Sequence, residues 1–164
     1  MQTLLRVILM VVALATLSSC GSKFRTYTGP VVTKVEVHKA DRKMYLLHGS
    51  QVLETYKIRL GGNPVGHKQF EGDQKTPEGA YFITHRNPGS AYHLSLGISY
   101  PNEADRAFAE VQDREPGGDI FIHGANNDGS SRGNWTVGCI AVSDRQIEEI
   151  YAMVRPGTPI NIFP

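Results

Sequence analysis

Val31-Val-Thr-Lys-Val-Glu-Val37, Met44-Tyr-Leu-Leu-His48 and Val52-Leu-Glu-Thr-Tyr-Lys-Ile-Arg-Leu60 decide the fold class. The first run alternates apolar and polar residues with a period near two, as a half-buried strand does. The other two flank Gly49-Ser50, and apolar runs around such a pair read as a hairpin. Gly61-Gly62-Asn63-Pro64 ends it. Working outward, Ala80 to Thr84 and His93 to Ser99 read as strands, as does Asp119-Ile-Phe-Ile-His123 between glycines. Pro159-Ile-Asn-Ile-Phe163 closes the chain with one more.

Only two helices are expected. Glu103 to Val111 places Ala104, Ala107, Phe108 and Val111 on one face. Ser143 followed by Gln146 is a capping-box signature, and Ile147, Ile150, Tyr151 and Val154 supply the apolar face behind it. Asn102 and Asp105 read as cap residues of the earlier helix. Strands dominate and do not alternate with helices, so the class is mostly β with two short helices rather than a doubly wound sheet. Gly66 to Gly79 and Gly124 to Gly138 are loops without periodicity, and no internal repeat is present.

With 164 residues the chain has room for one domain. Charged residues are 20% and the formal net charge is +1, which gives no reason to expect nucleic acid as a partner. Residues 1–19 read as a secretory signal: Arg6, then the apolar run Val7 to Ala15, then small residues up to Cys20. That run is short for a hydrocarbon core of about 30 Å. Leu17-Ser-Ser-Cys20 resembles the bacterial lipobox, which implies a lipid on Cys20. Residues 20–30 are then a lipidated tether of polar and glycine residues, and 31–164 the domain. The expected location is the cell envelope, as a periplasm-facing lipoprotein of the outer membrane.

The chain has two cysteines. If the sulfur of Cys20 carries lipid, it cannot form a disulfide, and Cys139 is a solitary thiol in an oxidising compartment. Such a thiol is either an inert core residue or a used one. Gly138-Cys139 ends a glycine-rich loop just before a helix, where free backbone N–H groups suit a developing oxyanion. His123 ends a strand, beside Gly124. The loop between them is long enough to fold back and bring imidazole to thiol. His38, His48, His67 and His85 lack metal-ligand spacing, so neither a metal nor another cofactor is expected.

Phe121-Ile-His-Gly124 with Thr136-Val-Gly-Cys139 resembles the signature of L,D-transpeptidase catalytic domains (YkuD-type). Arg42-Lys-Met-Tyr-Leu-Leu47, Lys75-Thr-Pro-Glu-Gly79 and Gly157-Thr-Pro-Ile160 resemble the family's opening strand, its Thr-Pro-x-Gly segment and its closing strand. The resemblance implies a β-sandwich and a cysteine acyl-enzyme that attacks peptidoglycan stem peptides after the diamino acid. Terminal D-alanine leaves, and an amine of a second stem or an envelope protein takes the acyl group. Carried over by motif, Cys139 is the nucleophile and His123 the proton acceptor. The Gly124 carbonyl orients the ring, Gly138 and Cys139 offer N–H groups to the oxyanion, and Thr136 supports the loop.

Two positions depart from the pattern. Val137 stands where many members carry His, and Ala141 where many carry Arg. The Gly-Cys-x-Ala form also resembles a branch that works as an amidase. A hydrolase of the same fold and a non-catalytic peptidoglycan-binding lipoprotein are therefore kept as alternatives. For substrate contact the candidates are Thr136, His93 in the donor cleft, Trp135 as a cover or a loop pin, and Arg132 towards a stem carboxylate. A strand role for His93, and simple solvation of Arg132, are the plainer readings.

The lipobox reading predicts that palmitate labels the wild-type protein and that Cys20→Ala abolishes the label. Several acyl chains, at about 0.8 kcal/mol per buried CH₂, hold a protein stably on a membrane. Equal labelling of the two proteins refutes it.

Overall fold

The computed structural model describes residues 22–125 and 133–164. The signal segment, Cys20 and Arg132 lie outside the described residues. In order come β1 Lys34–His38, β2 Lys43–His48, β3 Gln51–Lys57, β4 Gly79–Asn87, β5 Ser95–Ile98, α1 Glu103–Val111, β6 Phe121–His123, β7 Ile140–Ala141, α2 Asp144–Met153 and β8 Pro159–Phe163. The mostly β class with two helices holds. The strands form one sheet in the order β3-β2-β1-β8-β4-β5-β6-β7. Neighbours are antiparallel except β1 with β8 and β6 with β7.

The sheet curls until its two ends meet. Arg59, two residues past β3, bridges Ala141 of β7, and each N–H donates to the other's carbonyl at 2.9 Å. A second bridge joins Gly61 to Thr136. A bulge in β4 between Ile83 and Arg86 helps to turn the sheet, because an extra residue bends a strand and raises its twist. Val35, Val37, Met44 and Leu46 from one end of the sheet share a core with Leu96, Ile122 and Ile140 from the other. Helix α2 covers it with Ile147, Ile150 and Tyr151. Its cap is the Ser143–Gln146 box, as its sequence predicts.

Helix α1 corrects an expectation. Its capping box of Asn102 and Asp105 is present, but the apolar face of Ala104, Ala107, Phe108 and Val111 faces solvent. The helix buries Asp105 and Ala109 instead. The Asp105 carboxylate accepts from Tyr81 Oη at 2.9 Å and from the Asn102 N–H at 2.9 Å, and it pairs with His67 Nε2 at 3.1 Å. Polar docking of the cap, rather than the apolar stripe, orients this helix.

Lys39, next to β1, ties down the long loop before β4. Its side chain is buried, and Nζ donates to Gly66 O at 2.7 Å, Thr76 O at 3.0 Å and Glu78 Oε1 at 2.7 Å. Burial lowers its pKa and Glu78 opposes that shift. Removing one partner of a buried pair strands the others. Lys39→Met is expected to lose about 2–3 kcal/mol, since Glu78 keeps some contact with water. Lys34→Met, which breaks the partly exposed pair with Glu36, should lose about 1 kcal/mol or less. Urea midpoints of the two variants check this.

Candidate active site

Cys139 stands at the closure seam, one residue before β7. The turn that presents it is built for glycine at 138. Gly138 has φ 140°, and a Cβ there would lie 2.8 Å from Lys75 O and 3.1 Å from Ile120 Cδ1. Both hydrogen-bonding roles of the Thr136 hydroxyl serve this turn: it donates to Cys139 O at 2.7 Å and accepts from Gly138 N at 3.3 Å. Thr76, wholly buried, donates to Gly138 O at 2.9 Å. From the other side Leu60 accepts from Thr136 N at 3.3 Å, and Gly62 N donates to Thr136 O at 3.0 Å.

His123 ends β6, which runs parallel to β7 with His123 opposite Ala141. Nδ1 lies 2.7 Å from Gly124 O. A carbonyl only accepts, so Nδ1 carries the proton and Nε2 is left as the basic nitrogen. Tyr92 stacks on the ring at 4.5 Å, and Trp135 meets it edge-on at 5.5 Å. Gly124 has no room for a side chain: a Cβ would lie 2.6 Å from Asp144 Oδ1 and 2.7 Å from Tyr92 O. The glycine after the histidine therefore allows the close packing that holds Tyr92 on the ring.

His123 and Cys139 line one cavity of about 310 Å³, together with Tyr92, Asp119, Phe121 and Val137. The imidazole is 3% exposed and the thiol partly exposed. Cys139 Sγ donates to Asp119 O at 3.4 Å. Asp119 is held at φ 54°, in the left-handed region, so its backbone is turned out of the extended strand that follows. Burial raises the pKa of the thiol, with a backbone hydrogen bond from Phe121 pulling the other way. Burial lowers the pKa of His123, against the bond to Gly124. Burial thus favours the neutral form of both the thiol and the imidazole that share this cavity.

The predicted substrate contacts divide. Thr136 is buried with its hydroxyl engaged in the turn, so it braces the loop and does not face the cavity. His93 also stands apart from the lining: its Nε2 pairs with Glu148 Oε1 of α2 at 2.9 Å. Trp135 packs on His123 and lines a separate cavity of about 330 Å³ with Lys57, Arg59, Ala141 and Gln146. Val137 is 75% exposed at the mouth of the thiol cavity.

Tyr92 and Thr76 were not legible as site residues. Tyr92 sits beside the more conspicuous His93, and only tertiary packing places the tyrosine ring on His123 and pairs the histidine ring with Glu148. Thr76 lies in the Thr-Pro segment, which resembles the family's but by itself gives the residue no role. Among the described residues no cluster of three or more His, Cys, Asp or Glu could hold a metal ion.

A curled mixed sheet thus presents a thiol and an imidazole in one cavity. Residues 33–162 match the L,D-transpeptidase catalytic domain family (YkuD), and the chain belongs to it. It is 31% identical over 143 residues to YafK of Escherichia coli (strain K12), covering 79% of this chain and 53% of that one. Pgp2 of Campylobacter jejuni, a helical cell shape determining protein, superposes with a TM-score of 0.64 at 29% identity, over 83% of this chain and 49% of that one. An L,D-transpeptidase from Mycobacterium smegmatis shares the fold, with a TM-score of 0.54 at 15% identity over 81% of this chain and 59% of that one. The chain spans about half the length of YafK and Pgp2.

The neutral pair predicts a distinct pH profile. A thiol whose pKa is raised reacts slowly with iodoacetamide at neutral pH, and its rate climbs as pH rises through and beyond the ordinary thiol range. A preformed thiolate–imidazolium pair would instead alkylate fast and evenly between about pH 5 and 8. Alkylation followed by intact mass across that range decides between them.

Proposed function

We propose that this chain is a peptidoglycan L,D-transpeptidase that works through a thioester on Cys139. The carrying observation is the shared cavity of Cys139 and His123, with the His123 Nδ1 proton committed to Gly124 O. With Nε2 basic, attack and proton transfer occur together. Sγ adds to the carbonyl carbon of the stem's diamino acid while its proton passes to His123 Nε2. Gly138 N is engaged by Thr136, so the Cys139 N–H is the principal backbone donor for the oxyanion. Collapse breaks the bond to D-alanine, whose nitrogen takes the proton from His123. An amine of a second stem or an envelope protein then attacks the thioester, returns its proton through His123 and frees the thiol.

Family membership supports stem peptides as the substrate class, and the cell-shape description of Pgp2 supports a role in the wall. The lipobox-like Cys20 supports a place in the envelope, with the domain facing the periplasm from the outer membrane. A second reading sends the acyl group to water. Ala141 favours it: where many members carry Arg, this position opens on the separate cavity beside Trp135.

Incubation with tetrapeptide-stem muropeptides, with products read by mass, tests the reading. Cross-linked dimer with free D-alanine is expected; tripeptide stems without dimer mean hydrolysis. Cys139→Ala should abolish turnover and change stability by about 1 kcal/mol or less. His123→Ala should slow acylation of Cys139 by a carbapenem by about 10²-fold. No D-alanine release by the wild type, or equal release by Cys139→Ala, overturns the proposal.

A further inference from the structure

By composition, the residues before β1 are a loose tether. In the structure they are a strap. Lys23 is half-buried, and its Nζ donates to Pro88 O at 2.7 Å and to His93 O at 3.1 Å. Those carbonyls stand near the two ends of the loop that joins β4 to β5. Between them lie Ser90, Ala91 and Tyr92, which form one wall of the Cys139 cavity. One ammonium group thus grips both ends of that wall.

A second set of contacts reinforces the first. Arg25 pairs with Glu148 at 2.8 Å and with Glu149 at 3.1 Å, and the other oxygen of Glu148 takes His93 Nε2 at 2.9 Å. Phe24 lies against Tyr151 of α2 at 6.2 Å. His93 is therefore held by its carbonyl and by its ring, and it sits at φ 69°, in the left-handed region. A residue other than glycine stays in that region when its surroundings fix it, and such strain gathers at sites where position matters.

Exposed ion pairs add little to global stability, so the value of these contacts is local. Residues 88, 89, 91 and 92 are exposed and have little core to hold them. On the body side the loop is fastened by Gly124 N, which donates to Tyr92 O at 3.1 Å, and by the stack of Tyr92 on His123. Without the strap, those fastenings alone would set the position of the wall.

We propose that Ser22–Arg25 is a strap that fixes the Pro88–His93 loop, with Lys23 as the positioning residue for the wall of the donor cavity. The catalytic part of this inference rests on the transpeptidase reading; the structural part does not. It also assigns His93 a role, as the point where strap, loop and α2 join, in place of substrate contact.

The test compares wild type, Lys23→Met and Lys23→Arg as full chains. Hydrogen exchange of peptides covering residues 88–94 reads the loop directly, and the fluorescence of Trp135, the single tryptophan, reads its neighbour Tyr92 at 5.7 Å. Lys23→Met should lose protection in that loop alone and shift the Trp135 emission, and Lys23→Arg should restore both. With tetrapeptide donor, Lys23→Met should raise KM about fivefold while kcat stays within about twofold, because the wall positions substrate and does not touch the reacting atoms. Unchanged loop protection and unchanged KM in Lys23→Met overturn the strap. If the loop loosens while even the wild type releases no D-alanine, the strap stands and the transpeptidase reading falls.

Discussion

The paired hydrogen bonds between Arg59 and Ala141 close the sheet, and the site depends on that closure. Without it β7 would be a two-residue strand hanging on β6 at an open edge. Cys139, one residue earlier, would have no fixed position. With it the Thr136–Cys139 turn is held on three sides: by Leu60 and Gly62, by Thr76, and by its own Thr136 hydroxyl. The proposed mechanism needs such redundancy at Cys139, since a misplacement of about 1 Å has a large effect on rate.

Closure also explains why small residues crowd the seam. A Cβ on Gly61 would lie 2.0 Å from Gln74 O and 3.1 Å from Gly138 N, so the segments approach backbone to backbone. Close approach excludes water, and the same exclusion sets the electrostatics. Burial favours the uncharged forms of both Cys139 and His123. A thiol kept neutral also resists oxidation better than a thiolate.

Two polar anchors far from the thiol serve the same end. Lys39 fastens the loop that carries Thr76, and the cap of α1 fastens Asp105 to Tyr81 and His67. Each places a charged group in a buried position with its partners satisfied, which fixes geometry more than it adds stability. The position of the Cys139 turn thus passes back to β1 through Thr76 and Lys39.

Period-two alternation determined the hairpin, and the capping box with its apolar face determined α2, because both signals are local and agree with burial. His-Gly and Thr-x-Gly-Cys singled out His123 and Cys139, since nucleophile and base are residue types that chemistry restricts. Tertiary structure alone decided the rest. The apolar side of α1 faces water because a polar contact between distant segments, Asp105 with Tyr81 and His67, outweighs the helix's own pattern. Tyr92 lines the cavity while His93, with a left-handed backbone whose carbonyl is held by Lys23, pairs with Glu148 of α2. Such choices depend on groups dozens of residues apart, and no local pattern records them.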